Sequence, residues 1–250
     1  MKLKGKVAFI TGAGSGIGKT IAMLFAAEGA RIAAVDANQD SALGCVTEIE
    51  LAGGRAIAIR ADVSRTEQVV AAINDCVERL GKPAVVVNSA GIEGMVSRTE
   101  TITEEDYDRV IAVNQRGVFL VMKYVLPHMV AAGGGSIINL ASVAGLVGVT
   151  GSSAYCASKA AVIAMTKVAA LEYGRNGVRV NCICPGLIDT PMAERLAGGK
   201  VNPEAVGRMV AMRRTGRPDE IARMALFLAG EDSSYSTGAS FVADGGWTVA

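Results

Sequence analysis

Short, continuous apolar runs alternate along this chain with longer stretches in which apolar residues recur at helical spacing. The runs near 6–11, 31–36, 55–60, 84–88, 135–141, 178–183 and 239–242 read as strands. The periodic stretches near 16–29, 38–52, 65–80, 104–131, 153–175 and 217–229 read as helices. Strands that are apolar at every position are buried on both faces, and strand–helix alternation makes their sheet parallel. The expectation is an α/β fold, a doubly wound seven-stranded parallel sheet with helices on both faces. No repeat, low-complexity tract or linker interrupts the pattern, so residues 1–250 read as one domain. The least regular part, about 189–217, holds Thr190-Pro191-Met192, Ala197-Gly198-Gly199 and Asn202-Pro203. It reads as a hinged lid over a substrate site.

The first strand, Val7 to Thr11, runs into Gly12-Ala13-Gly14-Ser15-Gly16-Ile17-Gly18, after which a helix begins. Strand, glycine turn and helix N-terminus form an anion site, because unpaired N–H groups and the helix dipole face the ligand. The spacing is T-G-x-x-x-G-x-G, with Gly12, Gly16 and Gly18 allowing a diphosphate to approach. A dinucleotide turn of this kind makes the expected fold Rossmann-type. Asp36 ends the second strand, 18 residues past Gly18. A carboxylate there accepts ribose hydroxyls and repels a 2′-phosphate, so NAD is expected over NADP. No cation stands at Ser15 or Ala37 to favour the phosphate.

Further along, Tyr155 and Lys159 lie one helical turn apart and project from one face. A cation beside a phenol favours the phenolate and brings a tyrosine toward proton transfer near neutral pH. Ser142 follows the apolar run that ends at Leu140. Ligands in doubly wound sheets bind at the carboxyl ends of strands, where Asp36, Asp62, Asn88 and Ser142 all fall.

Over its whole length the chain resembles the compact branch of the short-chain dehydrogenase/reductases. Thr11 to Gly18 resembles that family's cofactor turn, and Asp62-Val63 the pair that meets the adenine. Asn88-Ser89-Ala90-Gly91 is similar to its N-N-A-G motif, with Ser89 in place of the second asparagine. Asn114, Ser142, Tyr155 and Lys159 stand in the order of its catalytic tetrad. Pro185-Gly186 with Ile188-Asp189-Thr190 resembles the segment that closes over the nicotinamide.

The resemblance implies cofactor contacts from Ser15, Ile17, Asn88, Ala90, Gly91, Tyr155 and Lys159 as well. It implies that Tyr155 moves the proton, and that Lys159 lowers the tyrosine pKa and holds the nicotinamide ribose. Ser142 would bind the substrate oxygen, and Asn114 would position the water and backbone through which Lys159 exchanges protons. It further implies a homotetramer with the tail Asp244 to Ala250 at an interface. Three activities share these motifs to different degrees: an NAD-dependent secondary-alcohol dehydrogenase, an NADPH-dependent 3-oxoacyl-thioester reductase, and a non-catalytic dinucleotide-binding protein. Asp36 and the intact Ser142, Tyr155 and Lys159 favour the first.

Composition narrows the partners. Net charge is +1, which gives no support for nucleic acid or an anionic membrane surface. The chain is 50% apolar, more than buried strands alone require, which points to subunit interfaces. No apolar leader precedes the first strand, and no membrane span is expected. The charge-free stretch from Tyr124 to Ser158 is broken by Pro127 and Gly133 to Gly135. Five cysteines without a C-x-x-C pair fit a reducing, cytoplasmic setting. With one histidine, His128, and no clustered thiols, a usual zinc site or a Ser-His-Asp triad is not expected.

The substrate pocket is harder to place. Glu93, Gly94, Met95, Ala144, Val149, Met192 and Leu196 are candidates from their positions beside the motifs. They describe a mostly apolar site for a medium-sized secondary alcohol or ketone. Arg213 and Arg214 either meet an anionic tail or form a solvated charge cluster at a helix end.

Overall fold

A computed structural model describes residues 1–199 and 203–249. Seven strands form one parallel sheet in the order β3-β2-β1-β4-β5-β6-β7. They are β1 (Val7–Thr11), β2 (Arg31–Asp36), β3 (Arg55–Arg60), β4 (Val85–Asn88), β5 (Gly135–Leu140), β6 (Val178–Pro185) and β7 (Ser240–Ala243). β1 lies between β2 and β4, with Phe9 opposite both Ala33 and Val86. Successive side chains alternate faces, so each strand feeds two cores. Val7 and Phe9 join Val178, Val180, Cys182 and Cys184 on one side, while Ala8 and Ile10 join Ile183 on the other. This double burial is why the strands lack polar alternation.

Helices α1 (Gly16–Ala27), α2 (Gln39–Leu51) and α9 (Pro218–Ala229) cover the second core. Helices α3 (Thr66–Arg79), α5 (Gly117–Val130) and α6 (Ser153–Tyr173) belong to the first side, and α4 (Glu104–Ile111) packs against α6. The single helix expected over 104–131 is interrupted: a π turn, Ala112–Arg116, joins α4 to α5. A π turn holds one residue more than an α turn and shifts the faces that follow. It leaves the polar Asn114 fully buried. The region expected to form a lid contains α7 (Pro191–Ala197) and α8 (Pro203–Met209), and Gly198, with φ +64°, ends α7. Asn202, one of the expected hinge residues, lies outside the described residues.

By length and composition alone, Ser153–Asn176, with a mean hydropathy of 1.3, would pass as a membrane span. Its placement is that of a helix covering a sheet. Val162 and Ala169 sit in the core beside Val178 and Val180, and the buried Lys159 reaches the end of β5.

Candidate active site

The carboxyl ends of β1 to β6 open into one cavity of about 920 Å3. At its first end, the turn after β1 folds so tightly that a Cβ on Gly18 would sit 2.1 Å from the Gly12 carbonyl oxygen. Ser15 precedes α1 without capping it, and the first turn holds no acidic residue. The N–H groups there stay available to an anion, as a diphosphate site requires. Asp36 closes the neighbouring corner, accepting the Gly14 N–H through one oxygen and the Asn38 N–H through the other, both at 2.9 Å. It does not cap α2, a role taken by Asn38, which accepts the Ser41 N–H at 3.0 Å. Each carboxylate oxygen keeps a further lone pair for a ribose hydroxyl. The Asp62 carboxylate accepts from the Ser64 N–H and hydroxyl at 2.9 and 2.7 Å, which fixes the wall beyond β3. These features fit a dinucleotide.

At the other end, β5 delivers Ser142 on extended backbone into a short 3-10 turn, Val143–Gly145. Its hydroxyl oxygen accepts the Ala144 N–H at 3.1 Å, which leaves its proton to donate. A Cβ on Gly145 would fall 2.7 Å from the Lys159 carbonyl carbon, so glycine lets this turn close onto α6. Tyr155 and Lys159 occupy the facing turn of α6, with Nζ 5.6 Å from the phenol ring centroid.

The electrostatics differ from the sequence expectation. Burial pushes the Tyr155 phenol up to about 12, while a hydrogen bond to Ser142 pulls the other way. Burial also drags the Lys159 ammonium down to about 8. That ammonium donates to the Leu140 carbonyl at 2.7 Å. Among protein groups alone, desolvation therefore outweighs the Ser142 hydrogen bond at the phenol.

Asn114 stands behind the wall. Its amide accepts the Ile92 N–H and donates to the Ile92 carbonyl, both at 2.8 Å, and reaches the Ser158 hydroxyl at 3.2 Å. Ser158 in turn donates to the Tyr155 carbonyl at 2.7 Å. One buried amide thus braces the loop after β4 against α6.

All the residues expected to contact cofactor line the cavity except Asn88. The Asn88 side chain turns into the sheet and donates to Asn139 at 2.8 Å. Its Oδ1 is buried without a partner among the described residues. Asn139 continues the chain to the Thr166 hydroxyl at 2.9 Å, so Asn88 ties strands together and does not face a ligand. Ser89 lines the cavity, and its N–H bonds the Thr11 hydroxyl at 3.2 Å.

Of the expected pocket residues, Glu93, Ala144, Val149, Met192 and Leu196 line the cavity, whereas Gly94 and Met95 do not. Arg214 is spent on Glu220 at 2.7 and 2.9 Å, and Arg213 also lies away from the cavity. The solvated-cluster alternative therefore describes this pair. Sequence reasoning missed Arg109, Arg116, Arg195 and Trp247, all of which line the cavity. Asp244 accepts from the Gly246 and Thr248 N–H groups, both at 2.8 Å, and so fixes the turn that presents Trp247. Arg195 on α7 grips Glu93 through Nε at 2.7 Å and Nη2 at 3.3 Å.

A family model described as Enoyl-(Acyl carrier protein) reductase matches residues 12–248. Cyclohexanol dehydrogenase of Acinetobacter sp. (strain SE19) is 42% identical over 248 residues, covering 99% of this chain and 96% of that protein. The 3-oxoacyl-(acyl-carrier-protein) reductase FabG of Thermotoga maritima is 41% identical over 251 residues, 100% of both chains. The crystal structure of a levodione reductase matches with a TM-score of 0.94 and 36% identity, over 99% of each chain. The chain belongs to the short-chain dehydrogenase/reductase family, oxidoreductases that use a nicotinamide cofactor.

Proposed function

We propose that this chain is an NAD-linked dehydrogenase that interconverts a secondary alcohol and its ketone. The observation that carries the reading is the convergence of Ser142, Tyr155 and Lys159 on the cavity that Asp36 and the glycine turn also line. A bound nicotinamide supplies or accepts the hydride at the carbinol carbon. Tyr155 gives its phenolic proton to the substrate oxygen during reduction and takes one back during oxidation. Ser142 donates its hydroxyl proton to the same oxygen, where charge develops. Lys159, held by the Leu140 carbonyl, places a positive charge near the phenolate formed in reduction. Asn114 acts as a positioning residue through the Ile92 loop and Ser158.

NAD preference rests on Asp36, whose two oxygens are fixed by backbone N–H groups and stay directed by them. The relative named cyclohexanol dehydrogenase supports a cyclic secondary alcohol as substrate class. A second reading, an NADPH-linked 3-oxoacyl-thioester reductase, draws on the full-length similarity to the Thermotoga protein. The carboxylate of Asp36 and the near-zero net charge weigh against it. Exposed Phe119, Val168 and Leu171 on α5 and α6 support the homotetramer. Five unpaired cysteines fit a cytoplasmic setting.

Initial rates decide between the two enzymes. NAD and NADP are paired with a panel of secondary alcohols, and NADH and NADPH with the ketones and 3-oxoacyl thioesters. Fast NAD-linked oxidation of cyclic alcohols is expected, and NADPH-linked thioester reduction would replace the reading. Asp36→Ala should erode the preference for NAD about 10- to 100-fold, the value of one or two charge-assisted hydrogen bonds. Unchanged selectivity would remove Asp36 as the selector.

A further inference from the structure

The cavity carries two guanidinium groups near its lid, and both are already engaged. Arg109 on α4 pairs with Asp106 at 2.5 Å. Arg195 on α7 spends a bidentate fork on Glu93. The members of that second pair are unequal. Glu93 is 19% exposed and follows directly on Ile92, the residue clamped at both N–H and carbonyl by Asn114. Arg195 is 59% exposed and stands on a short lid helix. The carboxylate is therefore the fixed member and the guanidinium the arm drawn onto it. Hydrogen bonds from Arg195 keep the Glu93 carboxyl below its ordinary value despite burial, so it is ionised near neutral pH.

We propose that Glu93 is a specificity-determining residue: by holding Arg195 it withholds that guanidinium from anionic substrates and reserves the pocket for uncharged ones. The inference rests on the dehydrogenase reading and names the substrate class of that same site. An uncharged alcohol passes the pair without disturbing it. An alcohol bearing a carboxylate meets the fixed charge of Glu93 first, and gains Arg195 only by breaking a bidentate pair of the strong, planar kind. Without the Glu93 charge, the same guanidinium becomes a ready fork for a substrate carboxylate.

The test uses ligands of matched size that differ by one charge. Cyclohexanecarboxamide and cyclohexanecarboxylate are titrated in the presence of NAD against the fluorescence of Trp247. This is the chain's one tryptophan, and it lines the cavity. The wild type should bind the amide about tenfold more tightly than the carboxylate. Glu93→Gln should tighten carboxylate binding about tenfold and leave the amide little changed, and adding Arg195→Met should erase that gain. Arg195→Met alone, which keeps the repelling carboxylate, should bind the anion no better than wild type.

The proposal is overturned if the wild type binds both ligands equally or binds neither. It is also overturned if a folded Glu93→Gln variant, checked by its circular dichroism, shows the wild-type ratio. Oxidation of 4-hydroxycyclohexanecarboxamide and 4-hydroxycyclohexanecarboxylate separates the two ideas. Charge discrimination in binding without NAD-linked turnover of either alcohol fails the dehydrogenase and upholds the filter. Equal turnover of both upholds the dehydrogenase and fails the filter.

Discussion

Replacing Lys159 by methionine should abolish turnover while leaving the protein as stable as before at pH 7, or more so. Lys159 is 4% exposed, and burial lowers its ammonium from 10.5 to about 8. At about 1.4 kcal/mol per pH unit, keeping that charge inside costs the folded state about 3 kcal/mol. Methionine has a similar length and no charge. It forfeits the 2.7 Å hydrogen bond to the Leu140 carbonyl, and a buried acceptor left short costs about 1–3 kcal/mol. The net expectation is a variant between equal and about 2 kcal/mol more stable than the wild type.

The pH dependence has a definite sign. The folded-state value lies below the unfolded one, so below about 8 both states hold the proton and the penalty is complete. Between about 8 and 10.5 the folded protein has released a proton that the unfolded chain still binds, so wild-type stability rises with pH. The variant lacks this contribution, and its advantage should vanish or reverse by pH 10. Urea unfolding followed by circular dichroism, for both proteins at pH 7 and pH 10, makes the comparison. A variant less stable by more than about 2 kcal/mol at pH 7 would refute the reasoning, because the lost hydrogen bond would then exceed the relieved charge. A difference identical at both pH values would refute it as well.

Two further outcomes are expected. Tyr155→Phe should lower kcat by about 10²–10⁴, the usual contribution of a positioned acid or base, while NADH still binds in titrations; near-normal turnover would remove Tyr155 as the proton carrier. Gly18→Ala places a methyl 2.1 Å from the Gly12 carbonyl oxygen. It should cost about 1–3 kcal/mol in melting experiments and weaken NADH binding, and a variant with unchanged Tm and affinity would show that the turn has room to spare.

Much of this molecule was legible in its residues because the governing interactions are local. Continuous apolar runs such as Val7 to Ile10 and Val85 to Val87 mark strands buried on both faces, and all seven strands were found near their observed places. The glycine turn and the Tyr155–Lys159 spacing are also local patterns, which is why they could be read directly. What escaped depends on distant partners or on a small change of helical pitch. Arg195 and Glu93 are separated by 102 positions, and only the folded chain brings them together. The π turn at Ala112–Arg116 adds a residue to a helix whose apolar spacing looks continuous on either side. Asn88 sits in a recognisable motif, yet its side-chain direction is set by Asn139 on the next strand. Burial likewise reverses the simple expectation for Tyr155, since neighbouring charge can be read from spacing and desolvation cannot.

The strand order carries one more consequence. Asp36 and Asp62 come from the half of the sheet built by β1 to β3, whereas Ser142, Tyr155 and Lys159 come from β5 and α6 on the opposite side of the β1–β4 boundary. The third contribution, Met192, Arg195 and Leu196, arrives on α7, outside the sheet altogether. On the proposed reading, coenzyme choice and proton chemistry are encoded in separate stretches of one chain, and α7 adds to a substrate wall that Glu93, Ala144 and Val149 also build. A gene arranged this way can trade one of those two attributes without rewriting the other. Relatives of this one chain can therefore bear names as different as cyclohexanol dehydrogenase and levodione reductase.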